Sequence, residues 1–258
     1  MKRIVYEVPG MEKISPRRDL VYKSADGEPL EADFYLPERD AGRPHPVVVF
    51  IHGAVPKGVK AKDMPPFVLW GQLIAASGMA AVTFNHRAEW ANGFVPGSLA
   101  RAAADLADLI AFVPKKAPEF NLDPERLCLF SFSAGGPLLA TPIRTAPDYL
   151  RCIVSFYSFL ETPSPDQSDP GALSPVIALT EARGRIAPIF LAKAGLDMPF
   201  INAAIDRFVS EAGSRGAAIE MMEHPNGRHA FDMLDDDETS RAIIRRSIEF
   251  MKSHLERQ

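Results

Sequence analysis

Short continuous apolar runs recur along the chain from residue 47 onwards. Strands have this pattern when helices cover both faces of their sheet, whereas strands with one wet face alternate between apolar and polar residues. Each run is five to eight residues long, which is within the usual length of a strand. The runs are 47–51, 79–84, 127–132, 152–159, 186–192 and, more weakly, 217–223.

Between these runs, apolar residues recur at helical spacing. Pro114 is expected to end or kink the second of these helices. Strands that alternate with helices predict an α/β fold with a mostly parallel sheet and helices on both faces. Ahead of them, the alternating runs 18–24 and 30–36 flank Asp26 and Gly27 and predict an antiparallel hairpin. The helical segments are 67–74, 99–113, 200–212 and a last one that starts in the acidic run 235–238.

We interpret residues 1–258 as one domain. The stretch 161–184 contains four prolines and lies between two predicted strands, so it is read as an excursion from the sheet and not as a linker. We expect it to form a small cap after the sixth strand, with Ile177 and Leu179 on the acyl side of a substrate pocket. The alternative is a surface loop that only packs on a neighbouring helix.

The composition argues against several classes of protein. An apolar fraction of 47% and a charged fraction of 24% are typical of globular domains and exclude disordered, collagen-like and coiled-coil chains. A net charge of −4 argues against a nucleic-acid partner. The chain has neither an apolar run long enough to span a membrane nor the apolar core of a secretory signal. With Cys128 and Cys152 as its only cysteines, we expect a cytoplasmic protein without disulfides.

A serine between small residues follows the apolar run 127–132. Ser133 stands at the centre of a pattern that matches the nucleophile elbow G-x-S-x-G, except that Ser131 replaces the first glycine. Residues two before and two after the nucleophile must be small because the turn is tight, and Ser131 and Gly135 both are. The helix that follows presents free N–H groups that suit an oxyanion. Taken alone, the pattern also fits a glycine-rich turn with no chemistry.

Two further residues stand in the order that such hydrolases require. Asp197 follows the run 186–192, and His229 lies in a loop 32 residues later, after the last predicted strand. Asp197 alone can be a helix cap, and His229 alone can be a solvated loop residue. The order serine, acid, histidine, with each residue at the carboxyl end of a strand, favours a catalytic triad.

Over almost its whole length the sequence resembles α/β-hydrolases of the dienelactone-hydrolase-like or small carboxylesterase group. The resemblance implies an oxyanion hole built from the backbone N–H groups of Ala54 and Ala134, with Gly53 allowing the turn. It leaves open whether Gly53 or Ala54 is the donor. Some dienelactone hydrolases use a cysteine nucleophile, but Ser133 holds that position here. The matching stretches are 48–53, 121–127, the elbow at Ser133, 194–197 and 227–232.

His86 and Arg87 come directly after the run 79–84, at the same edge of the predicted sheet. They can line the substrate pocket, and Arg87 can pair with a substrate carboxylate. The alternative is that both anchor a loop. No cluster of His, Cys and acidic residues has metal-ligand spacing, so we expect neither a metal nor a cofactor.

We therefore expect a serine hydrolase that cleaves carboxylic esters or lactones through an acyl-enzyme. Ser133 attacks the carbonyl, His229 takes its proton, and Asp197 holds the imidazole in the right tautomer. A peptidase or an acyl transferase uses the same triad, and a binding module on this fold uses none of it. The expected partner is a small-molecule ester, and an oligomer is possible but not indicated.

Overall fold

One eight-stranded sheet organises the protein in the computed structural model, which describes residues 3–38, 42–56, 58–91, 93–161 and 173–256. The strands are β1 (Arg17–Ala25), β2 (Glu28–Tyr35), β3 (His45–Ile51), β4 (Ala80–Phe84), β5 (Leu122–Phe132), β6 (Leu150–Phe156), β7 (Ile189–Ala194) and β8 (Ile219–His224). The helices are α1 (Pro65–Ala76), α2 (Ser98–Phe120), α3 (Ala140–Thr145), α4 (Pro175–Glu181), α5 (Pro199–Ser214), α6 (Phe231–Leu234) and α7 (Glu238–Leu255).

The strand order is β1-β2-β4-β3-β5-β6-β7-β8. The hairpin β1–β2 is antiparallel and joins β4 in antiparallel register, while β3 to β8 are all parallel to one another. The predicted α/β fold, with a mostly parallel sheet and a hairpin at its front, is confirmed. All loops that follow the parallel strands therefore meet at one edge, where ligands bind in open α/β sheets.

Two apolar clusters cover the two faces of the sheet, and this explains the continuous apolar runs. Within β3, Val49 packs in one cluster, and Val48 and Phe50 pack in the other. Helices α2 and α5 contribute to the first cluster, and α1 and α7 contribute to the second. Successive strand residues point to opposite faces, so a strand covered on both sides must be apolar throughout.

Helix α2 continues past Pro114 to Phe120, so the expectation that the helix ends at Pro114 is wrong, while a kink there stays a prediction. Proline removes one backbone donor and usually breaks a helix. Here Val113 and Phe120 lie on either side of it and are both buried in the first cluster. The burial of these two side chains outweighs the free-energy cost of a proline inside the helix.

The expected cap falls partly outside the described residues, because 162–172 are not among them. Its described part contains α4, which begins after Ser174; the Ser174 hydroxyl accepts from the Ile177 N–H at 3.4 Å. Leu179 is completely buried in the first apolar cluster, and α4 contacts α3 and α5. The prediction that Leu179 lines an open pocket is therefore wrong. Ile177 is half-buried, and its place on a pocket wall stays a prediction.

Across the described ranges, none of the helices combines the length and the apolar character that crossing a membrane requires.

Candidate active site

Ser133 stands at a sharp turn between β5 and a 3-10 helix over Ser133–Leu139. Its φ is 51°, in the left-handed region that side chains other than glycine rarely adopt. Such a conformation costs about 1–3 kcal/mol and persists only where the surroundings impose it. The turn lifts the serine hydroxyl out of the sheet at the carboxyl edge of the parallel strands.

Two glycines allow the β3 loop to touch this turn. A Cβ on Gly135 would lie 2.6 Å from the Ile51 carbonyl oxygen, and one on Gly53 would lie 2.8 Å from the Ser133 Cβ. Ser131, in place of the usual glycine, is fully buried, and its hydroxyl lies 3.0 Å from the Ser158 hydroxyl. The serine is accommodated because Ser158, two residues after the end of the neighbouring strand β6, gives its hydroxyl a polar partner.

Replacing Gly135 with alanine should lower the free energy of unfolding by about 2–3 kcal/mol, because the new methyl group collides with backbone that cannot move away. The matched control is Gly213→Ala in α5, where a Cβ meets nothing within 4 Å. That change should be neutral or stabilise the protein by up to about 1 kcal/mol. Urea denaturation of both variants checks the prediction, and equal stabilities would contradict it.

Ser133, His229 and Asp197 form one continuous hydrogen-bonded chain. The His229 Nε2 lies 2.8 Å from the Ser133 Oγ, and its Nδ1 lies 2.7 Å from the Asp197 Oδ2. A carboxylate only accepts, so Nδ1 carries the proton and Nε2 is free to accept from the serine hydroxyl. The Asp197 side chain is buried, whereas about a third of the His229 side chain (32%) reaches solvent. The residues predicted from their order in the sequence thus lie within hydrogen-bond distance.

Hydrogen bonds between the last two strand loops hold the acid and the base together. The Leu196 N–H donates to the Gly227 carbonyl at 2.9 Å, and the Gly195 N–H donates to the His224 carbonyl at 2.8 Å. The Met198 N–H donates to the Asp197 Oδ1 at 2.7 Å, which leaves Oδ2 for His229. The positions of Asp197 and His229 are therefore set by backbone contacts as well as by their own hydrogen bond.

A second carboxylate lies buried beside the histidine. Asp232 accepts from the Tyr157 hydroxyl at 2.6 Å and from the Trp70 indole N–H at 2.9 Å, and burial raises the pKa of this carboxyl group. The Tyr157 ring lies 4.8 Å from the His229 ring, centroid to centroid. The sequence suggests only a charge near a helix start for Asp232. Its partners are 75 and 162 positions away in the sequence, so no local sequence pattern predicts these hydrogen bonds.

His52 and His86 stack face to face, with ring centroids 3.6 Å apart and an interplanar angle of 2°. The His86 Nδ1 accepts from the Ala88 N–H, so its Nε2 carries the proton and donates to the His52 carbonyl at 3.2 Å. The His52 Nδ1 donates to the Gly53 carbonyl at 2.7 Å. Burial lowers the pKa of both rings, that of His86 to about 4, so the pair is neutral at pH 7.

The stacked pair fixes the peptide between Gly53 and Ala54. In a planar trans peptide the N–H points opposite to the preceding C=O. Because the Gly53 carbonyl faces the His52 ring, the Ala54 N–H points away from that ring. Gly53 itself lies against Ser133. His86 is thus a buried anchor of this loop, and its predicted place on the pocket wall is wrong: its ring is covered by His52 and engaged at both nitrogens.

Arg87 is also engaged elsewhere. Its side chain binds Asp105 through Nε and Nη2, at 3.0 and 2.7 Å, and binds Asp26 through Nη1 at 2.8 Å. The Asp105 side chain is fully buried and also forms a salt bridge with the Lys23 Nζ at 2.9 Å. Arg87 therefore joins the β4 loop to α2 and to the hairpin. The prediction that it lines the pocket and pairs with a substrate carboxylate is wrong.

The stacked histidines should make the protein less stable in mild acid. The unfolded chain takes up a proton on His86 near pH 6.5, whereas the folded protein does so only near pH 4, so unfolding gains protons between these values. The free energy of unfolding should therefore fall as pH drops from 7 to 5. In His86→Phe, which cannot be protonated there, the fall should be smaller. Urea titrations of both proteins at the two pH values test this, and equal falls would contradict it.

Comparisons with known proteins agree with this architecture. A family model described as BD-FAE matches residues 32–143, which include Gly53 and Ser133. The non-reducing polyketide synthase stbA of Stachybotrys bisbyi is 29% identical over 153 residues, which are 55% of this chain and 7% of that protein. A probable isoprenylcysteine alpha-carbonyl methylesterase of Arabidopsis thaliana is 32% identical over 128 residues, which are 49% of this chain and 24% of that protein. The chain thus spans only a small part of these relatives' length.

Solved structures match over nearly the whole chain. The apo form of Thermogutta terrifontis esterase 2 superposes with a TM-score of 0.73 at 20% identity, covering 95% of this chain and 96% of that one. The same esterase phosphorylated by paraoxon gives a TM-score of 0.70 at 20% identity, covering 96% and 94%. At this level of identity the likeness shows the fold. The chain therefore shares the fold of this esterase, an α/β fold with a mostly parallel sheet, as the sequence predicts.

Proposed function

We propose that the protein is a serine hydrolase that cleaves carboxylic esters. The observation that supports this most strongly is the hydrogen-bonded chain from Asp197 through His229 to Ser133, with separations of 2.7 and 2.8 Å. Three such groups in contact at the carboxyl edge of a parallel sheet meet the geometric requirements for acyl transfer. A binding module on the same fold has no need for this arrangement.

In the proposed reaction the Ser133 Oγ attacks the ester carbonyl while the His229 Nε2 takes the hydroxyl proton. Asp197 stabilises the imidazolium that forms. When the tetrahedral intermediate collapses, His229 gives the proton to the leaving alkoxide and an alcohol departs. Water then attacks the acyl-Ser133 ester with His229 again as the base, and the carboxylic acid is released with the serine restored.

The negative charge on the carbonyl oxygen requires donors beside Ser133. We assign this role to the backbone N–H groups of Ala54 and Ala134. The Ala134 N–H lies in the first turn of the 3-10 helix, where such groups have no partner within the helix. The direction of the Gly53 carbonyl, held by His52, favours Ala54 over Gly53 as the second donor. Each donor contributes about 3–4 kcal/mol to lowering the barrier.

The relatives support ester cleavage over amide cleavage. One is a probable methylesterase, and the solved neighbours are esterases, one of them phosphorylated by paraoxon. Lactones share the carbonyl chemistry of open esters and belong to the proposed range. An acyl transferase runs the same first step and differs only in the acceptor of the acyl group.

Formation of the carboxylate product, followed by proton NMR, tests this function. The panel comprises methyl butyrate, γ-butyrolactone and butyramide. We expect the ester to be hydrolysed and the amide to be resistant. A well-folded protein that hydrolyses none of the three would refute the proposal.

A further inference from the structure

Exposed large apolar side chains are concentrated at the edge of the sheet that carries Ser133. Within the described residues, five of the seven lie in the loops after β3, β4 and β7 or in the first turn of α5; the other two, Val21 and Met221, lie on β1 and β8. Single exposed apolar residues are ordinary, but a group of them on one side marks a binding surface. The five are Val59, Trp90, Leu196, Met198 and Phe200.

Two of these residues are the ends of a continuous aromatic strip, which we define as Trp90, Phe159 and Phe200. The ring centroids of Trp90 and Phe159 are 5.6 Å apart at 65°, and those of Phe159 and Phe200 are 5.5 Å apart at 71°. Both are edge-to-face contacts, the arrangement that aromatic rings prefer. The central ring is buried, whereas Trp90 and Phe200 are 39% and 41% exposed.

The centre of the strip lies against the nucleophile turn. The Phe159 N–H donates to the Ser133 carbonyl at 2.9 Å, and the Phe159 backbone packs so closely on Gly136 that a Cβ there would collide. At the other side, Phe200 lies three residues after Asp197, between the exposed Met198 and the body of α5. The strip therefore runs beside Ser133 from the β4 loop to the loop of the acid.

We propose that the aromatic strip binds a ring-bearing group of the ester substrate. The inference rests on the proposed function, because it assigns the occupant through the position of the strip beside Ser133. The exposed parts of Trp90 and Phe200 offer a substrate ring the same edge-to-face contacts that they already make with Phe159. The ring can belong to the acyl or to the alcohol part of the ester, since both extend from the carbonyl that Ser133 attacks.

Selectivity between small and ring-bearing esters tests the proposal. Methyl benzoate carries the ring on the acyl side, benzyl acetate carries it on the alcohol side, and methyl acetate has none. Trp90→Ala and Phe200→Ala are each compared with wild type, by the ratio of kcat/KM for a ring-bearing ester to kcat/KM for methyl acetate. The matched control is Met221→Ala on β8, since Met221 is also 39% exposed but lies outside the strip.

We expect both strip variants to lower that ratio about tenfold for one of the two ring-bearing esters, equivalent to about 1.4 kcal/mol. Which ester is affected identifies the side that binds the strip, and Met221→Ala should keep the wild-type ratio. Unchanged ratios in both strip variants, or ratios that fall equally in the control, would overturn the inference. A changed sedimentation coefficient with unchanged ratios would make the strip a contact between copies and also overturn it. If wild type hydrolyses no ester, the proposed function fails instead.

Discussion

Replacing Ser133 with alanine should lower kcat for ester hydrolysis by more than about 10⁴-fold. The change removes the hydroxyl to which the His229 Nε2 is hydrogen-bonded at 2.8 Å, and with it the oxygen that forms the proposed acyl-enzyme. The fold should survive, because the turn is held by backbone contacts and by Gly53 and Gly135, and not by the hydroxyl. Burst and steady-state release of p-nitrophenol from a short acyl ester measure the loss.

Ser131→Ala is the matched control for this variant. It removes the same hydroxyl group two residues earlier, and the Ser158 hydroxyl still reaches the carbonyls of Ser131 and Phe156 at 3.2 Å. We expect kcat to stay within about threefold of wild type and stability to fall by about 1 kcal/mol, the usual value of one hydrogen bond. If Ser133→Ala kept substantial activity while Ser131→Ala lost it, the assignment of the nucleophile would be wrong.

Asp197→Asn should lower kcat by about 10³- to 10⁴-fold while preserving the shape of the site. An asparagine oxygen can still accept from the Met198 N–H, which turns the new NH₂ group towards the His229 Nδ1. The ring nitrogen must then accept, so the proton moves to Nε2, and that nitrogen can no longer take the proton of Ser133. Steady-state kinetics of the purified variant at pH 8 measure the effect.

Asp206→Asn controls for the loss of one carboxylate. Asp206 lies on α5 and pairs with Lys193 at 2.6 Å; the aspartate side chain is 58% exposed and the lysine side chain 12%. An asparagine oxygen can still accept from Lys193, and Asp206 is not part of the hydrogen-bonded chain. We expect wild-type kcat in this variant. A similar loss in both variants would show that net charge, and not the tautomer of His229, governs the rate.

The parallel sheet was predictable because the strands β3 to β7 are covered on both faces, so each of them has a continuous apolar run. The order of Ser133, Asp197 and His229 was predictable for a related reason. Parallel strands bring their carboxyl ends to one edge, so polar residues placed just after three such strands meet in space. Both the apolar runs and the polar residues that follow them can be recognised from short stretches of the sequence.

Features that depend on distant partners were not predictable in this way. Arg87 was expected to face a substrate because nothing nearby in sequence showed that Asp105, on a different element, would take its donors. Leu179 was expected in a pocket because the sequence of a long loop does not show whether an apolar residue packs in the core or lines a pocket. In the structure it packs in the first apolar cluster. The buried contact between Asp232 and Trp70 joins residues 162 positions apart and left no pattern at either end.

Labelling with a fluorophosphonate, followed by peptide mass spectrometry, tests the central claim most directly. The reagent reacts with a serine whose hydroxyl is activated by a neighbouring base, so it reports the nucleophile without any choice of substrate. We predict one stoichiometric adduct, on Ser133, that disappears when His229 is replaced with alanine. An adduct on another residue, or no adduct in protein that hydrolyses esters, would contradict the assignment of Ser133, His229 and Asp197 as the reacting groups.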